Sequence, residues 1–225
     1  MFCATIIALP CISVSVNFKA YSQNLAWSET QVERGSYEKG GKKFKVQARS
    51  TINTYAYCFY VAKQALKRAD EEGQLYSCMT AGLIAAFTLE AYLNHIGQIK
   101  VRSWDAVERK LGPREKLLLL QEMFSFKADL SKPPFQSLHT VLSLRNSIVH
   151  GKTEIITIDK IVDEDEVGKA EYPQSDWKKL CTVSVVTKMV NDVEATVISI
   201  HPQLGYRRDP FASPGHGTSL ATPFG

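Results

Sequence analysis

Few residues in this 225-residue chain are arranged as a cofactor or metal site would require. The five cysteines, Cys3, Cys11, Cys58, Cys78 and Cys181, are scattered. They form no CxxC pair and no Cys/His cluster with zinc spacing, which argues against a structural metal. No GxGxxG follows a strand, no GxxxxGK[ST] is present, and HExxH and GxSxG are missing. Dinucleotide binding, P-loop phosphate binding, zincin and α/β-hydrolase chemistry therefore find no support. Charge of one sign is also scarce, with 27 Lys and Arg against 23 Asp and Glu and a formal net charge of +4. That excess permits contact with a polyanion without arguing for it, because a groove binder concentrates its charge in a patch. The densest basic run, KGGKKFK from Lys39 to Lys45, is short and Gly-interrupted and reads as a solvated loop.

Long apolar runs are confined to the beginning. MFCATIIALPCISVSVNF has no charge before Lys19 and resembles the apolar part of a signal peptide. It lacks a basic n-region and Pro10 interrupts it, while the alternation from Ile12 to Phe18 suits a strand. An edge strand or an N-terminal extension is expected. No later segment is expected to span a membrane. Cys58, Cys78 and Cys181 lie in helical patterns and read as small core residues of a reducing, cytoplasmic compartment.

What is present is helical periodicity. Hydrophobic residues make up 44% and charged residues 22% of the chain, as in an ordinary globular protein. Residues 1–45 read as an extension of strand and loop. A helix is expected over about Val46–Glu72, with Gly73 as its C-terminal cap, and a second over about Leu75–Lys100. SWDAVERKLG, with Ser103 as N-cap, and REKLLLLQEMF supply two short helices, and Pro134 suits the first turn of the next. EIITIDKIVDEDEV alternates and is β-branched, so a hairpin or irregular excursion is expected in an insertion at about 153–173. A last helix runs from Asp176 to about Ile200, and the Pro-, Gly- and Ser-rich tail 201–225 reads as disordered. The expected fold class is all-α: an antiparallel bundle of four to five helices over 46–200, with a small β excursion and flexible termini.

The stretch LRNSIVHGK, Leu144–Lys152, places a cation, an amide and an imidazole inside this helical pattern. On a wheel of about 100° per residue, Leu138, Val141, Leu142, Ile148 and Val149 share an arc of about 120°, and Arg145 falls in its middle. A guanidinium cannot shed its proton and is costly to bury unpaired, so an anion must meet it. Asn146 and His150 lie one turn apart on the flank, beside His139 and Ser143. The second helix carries the same anomaly, since Glu90 and Asn94 fall among Leu83, Ala86, Phe87, Leu93 and Gly97. The economical inference is that Glu90 meets Arg145. Such a pair can simply fix helix register. His150 argues for more, because it stands at a helix C-terminus just before Gly151, where the macrodipole favours imidazolium. A titrating histidine beside a cation equips a site for general acid/base work on a phosphodiester. His139 and His95 are weaker candidates.

Arg145-Asn-Ser-Ile-Val-His150 resembles the R-N-x-x-x-H motif of the HEPN superfamily, and LEAYLNHIG, Leu89–Gly97, resembles the family's acidic, Asn-bearing helix. The resemblance covers roughly residues 46 to 200. It implies a helical bundle that dimerises and brings two Arg–His motifs to one cleft. It further implies a metal-independent endoribonuclease acting on single-stranded RNA in a toxin or phage-defence role, with a possible cognate antitoxin or regulatory protein. Arg145 and His150 would be catalytic, Asn146 and Asn94 polar support, and Glu90 the group orienting the arginine. The RNA 2′-hydroxyl would attack the adjacent phosphate, leaving a cyclic phosphate and a 5′-hydroxyl. No cofactor and no metal are implied. The N-terminal extension, the insertion and the tail depart from compact members. Two other readings stand beside this one: a non-catalytic HEPN-like module binding RNA, a nucleotide or a protein partner, and a structural bundle in which Glu90–Arg145 is only a buried pair.

Overall fold

A computed structural model describes residues 43–70, 73–161, 163 and 173–224. The expected strand at Ile12–Phe18 lies outside these residues. The chain divides into two compact units, 1–45 with 222–225, and 46–221. The second is a bundle of helices and holds every candidate site residue.

The chain order is β1 (Lys43–Ile52), α1 (Thr54–Lys67), α2 (Gln74–Lys100), α3 (Trp104–Val107), α4 (Pro113–Phe124), α5 (Leu138–Val149), α6 (Asp176–Leu180), α7 (Val183–Gln203) and β2 (Gly215–Phe224). The fold class is the expected one: all-α, an antiparallel helical bundle with a small sheet. α2 is the central helix, packing against α1, α4, α5 and α7. Its small residues allow the neighbours to come close. A Cβ on Gly82 would lie 2.5 Å from Leu144 Cδ2 of α5, and one on Gly97 would collide with the Trp104 indole, which is fully buried. α2 is also long and apolar enough to cross a membrane by length and composition, with a mean hydropathy of 1.2 over a window that is 44% buried. This corrects the expectation that no later segment would reach that threshold. Its apolar character is what a central bundle helix needs.

Several boundaries differ from expectation. Residues 46–52 are strand, and α1 starts only at Thr54 rather than at Val46, because KVQARSTI alternates as a strand does. α1 ends at Lys67, and Gly73, with φ of 88°, starts α2 rather than capping α1. The last helix is two: α6 ends at Leu180 and Thr182 breaks the run, its Oγ1 accepting from the Val185 amide. A threonine that bonds the backbone three residues on competes with helix continuation. Pro134 precedes a 3₁₀ turn, Phe135–Ser137, from which α5 follows.

The β excursion is in a different place. Among the described residues of 153–173 there is no strand or helix, whereas the segment expected as a disordered tail supplies β2, paired with β1. The Asn53 amide donates to the Pro214 carbonyl at 2.7 Å where the pairing starts. Between α7 and β2 the chain is pinned by buried side chains. Phe211 stacks on Phe59 with ring centroids 4.1 Å apart, Tyr60 Oη donates to the Phe211 carbonyl at 2.6 Å, and Leu204 is buried. Two large apolar anchors outweigh the loop-like composition around them.

Candidate functional site

α5 packs against both α2 and α7, with the Lys188 ammonium of α7 donating to Ser137 Oγ at the entrance to α5. Its buried residues are Leu138, Val141 and Leu144, while Val149 is 50% exposed. The core face is therefore turned by about 40° from the expected arc, toward Leu144 and away from Val149. α2 is turned likewise. Ala86, Leu93 and Gly97 are buried as expected and Ala81, Ala85, Leu89, Tyr92 and Ile96 join them in the core, while Glu90, Asn94 and Leu83 are half-buried and Phe87 is exposed. Glu90 and Arg145 thus meet at the border of the bundle rather than in the middle of an apolar face.

They do meet. Arg145 Nη2 lies 3.6 Å from Glu90 Oε2, each side chain being 24% exposed. That distance makes an ion pair and exceeds hydrogen-bond range. The hydrogen bond of the guanidinium goes to its sequence neighbour, from Nη1 to Asn146 Oδ1 at 2.9 Å. Arg145 Nε is buried without a hydrogen-bond partner among the described residues.

Sequence reasoning missed a third member of this cluster. Lys116 of α4, with a side chain only 3% exposed, donates to Glu90 Oε1 at 3.0 Å. One carboxylate therefore serves two cations, and the cluster keeps one uncompensated positive charge at a half-exposed position. Lys116 sits four residues before the buried Leu120, so its place on the apolar face of α4 is visible in the sequence. Nothing local indicates which anion it meets.

His150 caps α5, its amide bonded to the Asn146 carbonyl at 3.0 Å, and its imidazole is exposed with no hydrogen-bond partner among the described residues. The structure thus joins Glu90, Arg145 and Asn146, and leaves His150 and Asn94 unbonded to them. Asn94 Oδ1 is buried without a partner among the described residues. His139 lines a small apolar cavity of about 190 Å³ between α4 and α5. The His95 ring packs tilted at 50° against Tyr55, centroids 5.0 Å apart, and burial lowers its pKa. Among the described residues, no group of three or more His, Cys, Asp and Glu side chains is arranged to hold a metal ion.

The arrangement can orient a guanidinium by its Glu90 and Asn146 contacts and present an imidazole on the same helix end. No family model matches the chain, and comparison with curated proteins and with solved structures returned no match.

Proposed function

We propose that this protein is a metal-independent endoribonuclease of HEPN type, working as a homodimer on single-stranded RNA. The observation that carries the reading is Arg145 held between Glu90 and Asn146 five residues before the exposed His150. An arginine so held keeps its fork fixed and its charge unshed, as stabilisation of phosphoryl oxygens requires. The Lys116–Glu90–Arg145 cluster keeps a net positive charge, which favours a phosphodiester beside it. In this reading His150 removes the proton of the 2′-hydroxyl as O2′ bonds to phosphorus and the P–O5′ bond breaks. The departing O5′ takes up a proton, giving a 2′,3′-cyclic phosphate and a 5′-hydroxyl. A second copy would complete the cleft with its own Arg–His motif. A toxin or phage-defence role, with an antitoxin or regulatory protein as partner, belongs to the same proposal.

A second reading rests on His150 itself. A general base is ordinarily oriented by another group, and His150 has no such partner among the described residues. A non-catalytic module binding RNA or a protein accommodates that. Purified protein incubated with varied single-stranded RNAs in EDTA separates the two. The nuclease reading expects cleavage leaving cyclic-phosphate ends, lowered about 10²- to 10⁴-fold by His150→Ala in a protein that stays folded. Equal inertness of both proteins would leave the binding module.

A further inference from the structure

A cleft of about 430 Å³ opens just beyond the motif, lined by Lys152, Glu154, Ile156, Pro173, Ser175, Trp177 and Lys178. Its volume falls within the range of small-ligand sites. Lys152 follows His150 by two residues, so at most about 7 Å of backbone separates them. α6, which carries Trp177 and Lys178, packs on α5. The cleft therefore lies close to the end of the helix that presents His150.

Its lining has three properties that together define a ligand. Trp177 is packed against the core and also lines the cleft, so its indole is held in place with a surface toward the opening. Ser175 Oγ is buried and has no hydrogen-bond partner among the described residues, a state buried hydroxyls rarely keep. Among the described lining residues two ammonium groups, Lys152 and Lys178, stand with one carboxylate, Glu154. The Lys178 ammonium sits 5.9 Å from the Trp177 ring centroid, so cation and aromatic surface lie together. An aromatic platform with a neighbouring cation is how single-stranded nucleic acid is held without base-pair readout.

We propose that this cleft binds one nucleotide of single-stranded RNA, next to the phosphate engaged by Arg145 and His150. The base stacks on Trp177, the phosphodiester meets Lys152 and Lys178, and Ser175 Oγ gains a partner from the bound nucleotide. The proposal rests on the nuclease reading for the identity of its ligand.

The test uses the full chain carrying His150→Ala, so that a labelled single-stranded oligoribonucleotide stays intact, with Kd followed by fluorescence anisotropy. Trp177→Ala is expected to weaken binding roughly 5- to 150-fold, the loss of one base–aromatic stack. Trp177→Phe, which keeps a stacking ring, is expected to restore most of the affinity. Removing Lys152, an exposed side chain, is expected to lower the slope of log Kd against log salt by about 0.7. Because Lys152→Ala leaves the packing untouched, it decides the matter even if Trp177→Ala fails to fold. Parental affinity and salt slope in Lys152→Ala, with parental affinity in any folded Trp177→Ala, overturn the cleft. In the otherwise wild-type chain the two proposals then part. Cleavage that needs His150 but has a KM indifferent to Trp177→Ala keeps the nuclease and removes the cleft. Binding that needs Trp177 and Lys152 without any cleavage keeps the cleft and removes the nuclease.

Discussion

The Glu90 carboxylate and the Lys116 ammonium meet at 3.0 Å across α2 and α4, and the lysine is almost wholly buried. Glu90 is therefore held in place by a residue other than the one its position suggests. Arg145 sits on its free oxygen at 3.6 Å and is more exposed than Lys116. This division separates what stabilises the bundle from what is available for chemistry.

Glu90→Ala is expected to cost about 3–5 kcal/mol, because it strands a buried ammonium. Arg145→Ala is expected to cost about 1 kcal/mol or less, since Glu90 keeps Lys116 and the arginine pair is partly solvated. Urea unfolding of both variants at neutral pH measures the difference. A larger loss for Arg145→Ala than for Glu90→Ala would contradict the assignment of Lys116 as the anchor.

Under the proposed nuclease function, Arg145→Lys is expected to keep the fold and lower RNA cleavage on the order of 10²-fold in kcat. A lysine retains the charge but cannot reach both Glu90 and Asn146 with one planar fork. Full activity in Arg145→Lys would show that a point charge suffices and that the Asn146 hydrogen bond has no part in the reaction.

Stability should fall on the acid side. Burial holds the pKa values of both His95 and His201 below the ordinary 6.5, and His95 adds to the lowering at His201 against the opposing charge of Asp209. His201 Nδ1 is 3.2 Å from Tyr92 Oη and its ring stacks on Tyr206. As pH drops below 6.5 the unfolded chain takes up protons that the folded chain resists, so stability present above that pH is lost progressively below it. Tyr92 acts on the other side. Burial raises its pKa above the ordinary 10.0, so stability is lost as the unfolded phenol ionises above that pH. Thermal melts across pH 4–11 should peak between these limits, and His201→Phe should flatten the acid limb. An acid limb unchanged by that substitution would assign it to other groups.

Gly97→Ala is expected to destabilise by about 1–3 kcal/mol, because its methyl would enter the Trp104 ring. Differential scanning calorimetry reads the change. Gly205→Ala is the instructive contrast: open space surrounds that position, but its φ of 88° strains any side chain. A Gly97→Ala protein as stable as the parent would mean that α3 can move off α2 at no cost.

Phe211→Ala is expected to cost about 3–5 kcal/mol, the usual range for emptying a buried phenylalanine site. The same substitution should loosen residues 204–214, seen as faster amide exchange there. Unchanged exchange would show that the strand pairing and the Tyr60 hydrogen bond hold the segment without the ring.

The long helices were legible in the sequence because a repeat of three and four apolar residues has one low-energy answer. α2 was expected at Leu75–Lys100 and lies at Gln74–Lys100. Val186, Val190, Val193, Val197 and Ile200 are all buried, as their spacing in α7 implies. Glu90 and Arg145 were likewise visible as polar residues out of place, and a charge near a core implies a partner.

Periodicity does not carry the rotation of each helix about its axis, and that rotation moved the pair from the middle of the core to its border. It depends on neighbours: α2 faces four helices at once, so its buried arc is far wider than any single amphipathic stripe. Tertiary structure alone brought Lys116 to Glu90, Phe211 to Phe59, and Ser175 with Trp177 to Lys152, since each pairing joins segments distant in sequence. Local spacing determined which residues could not be ordinary surface. Only the packing of distant segments decided which of them touch, because a contact between distant segments is a property of the whole chain's closure.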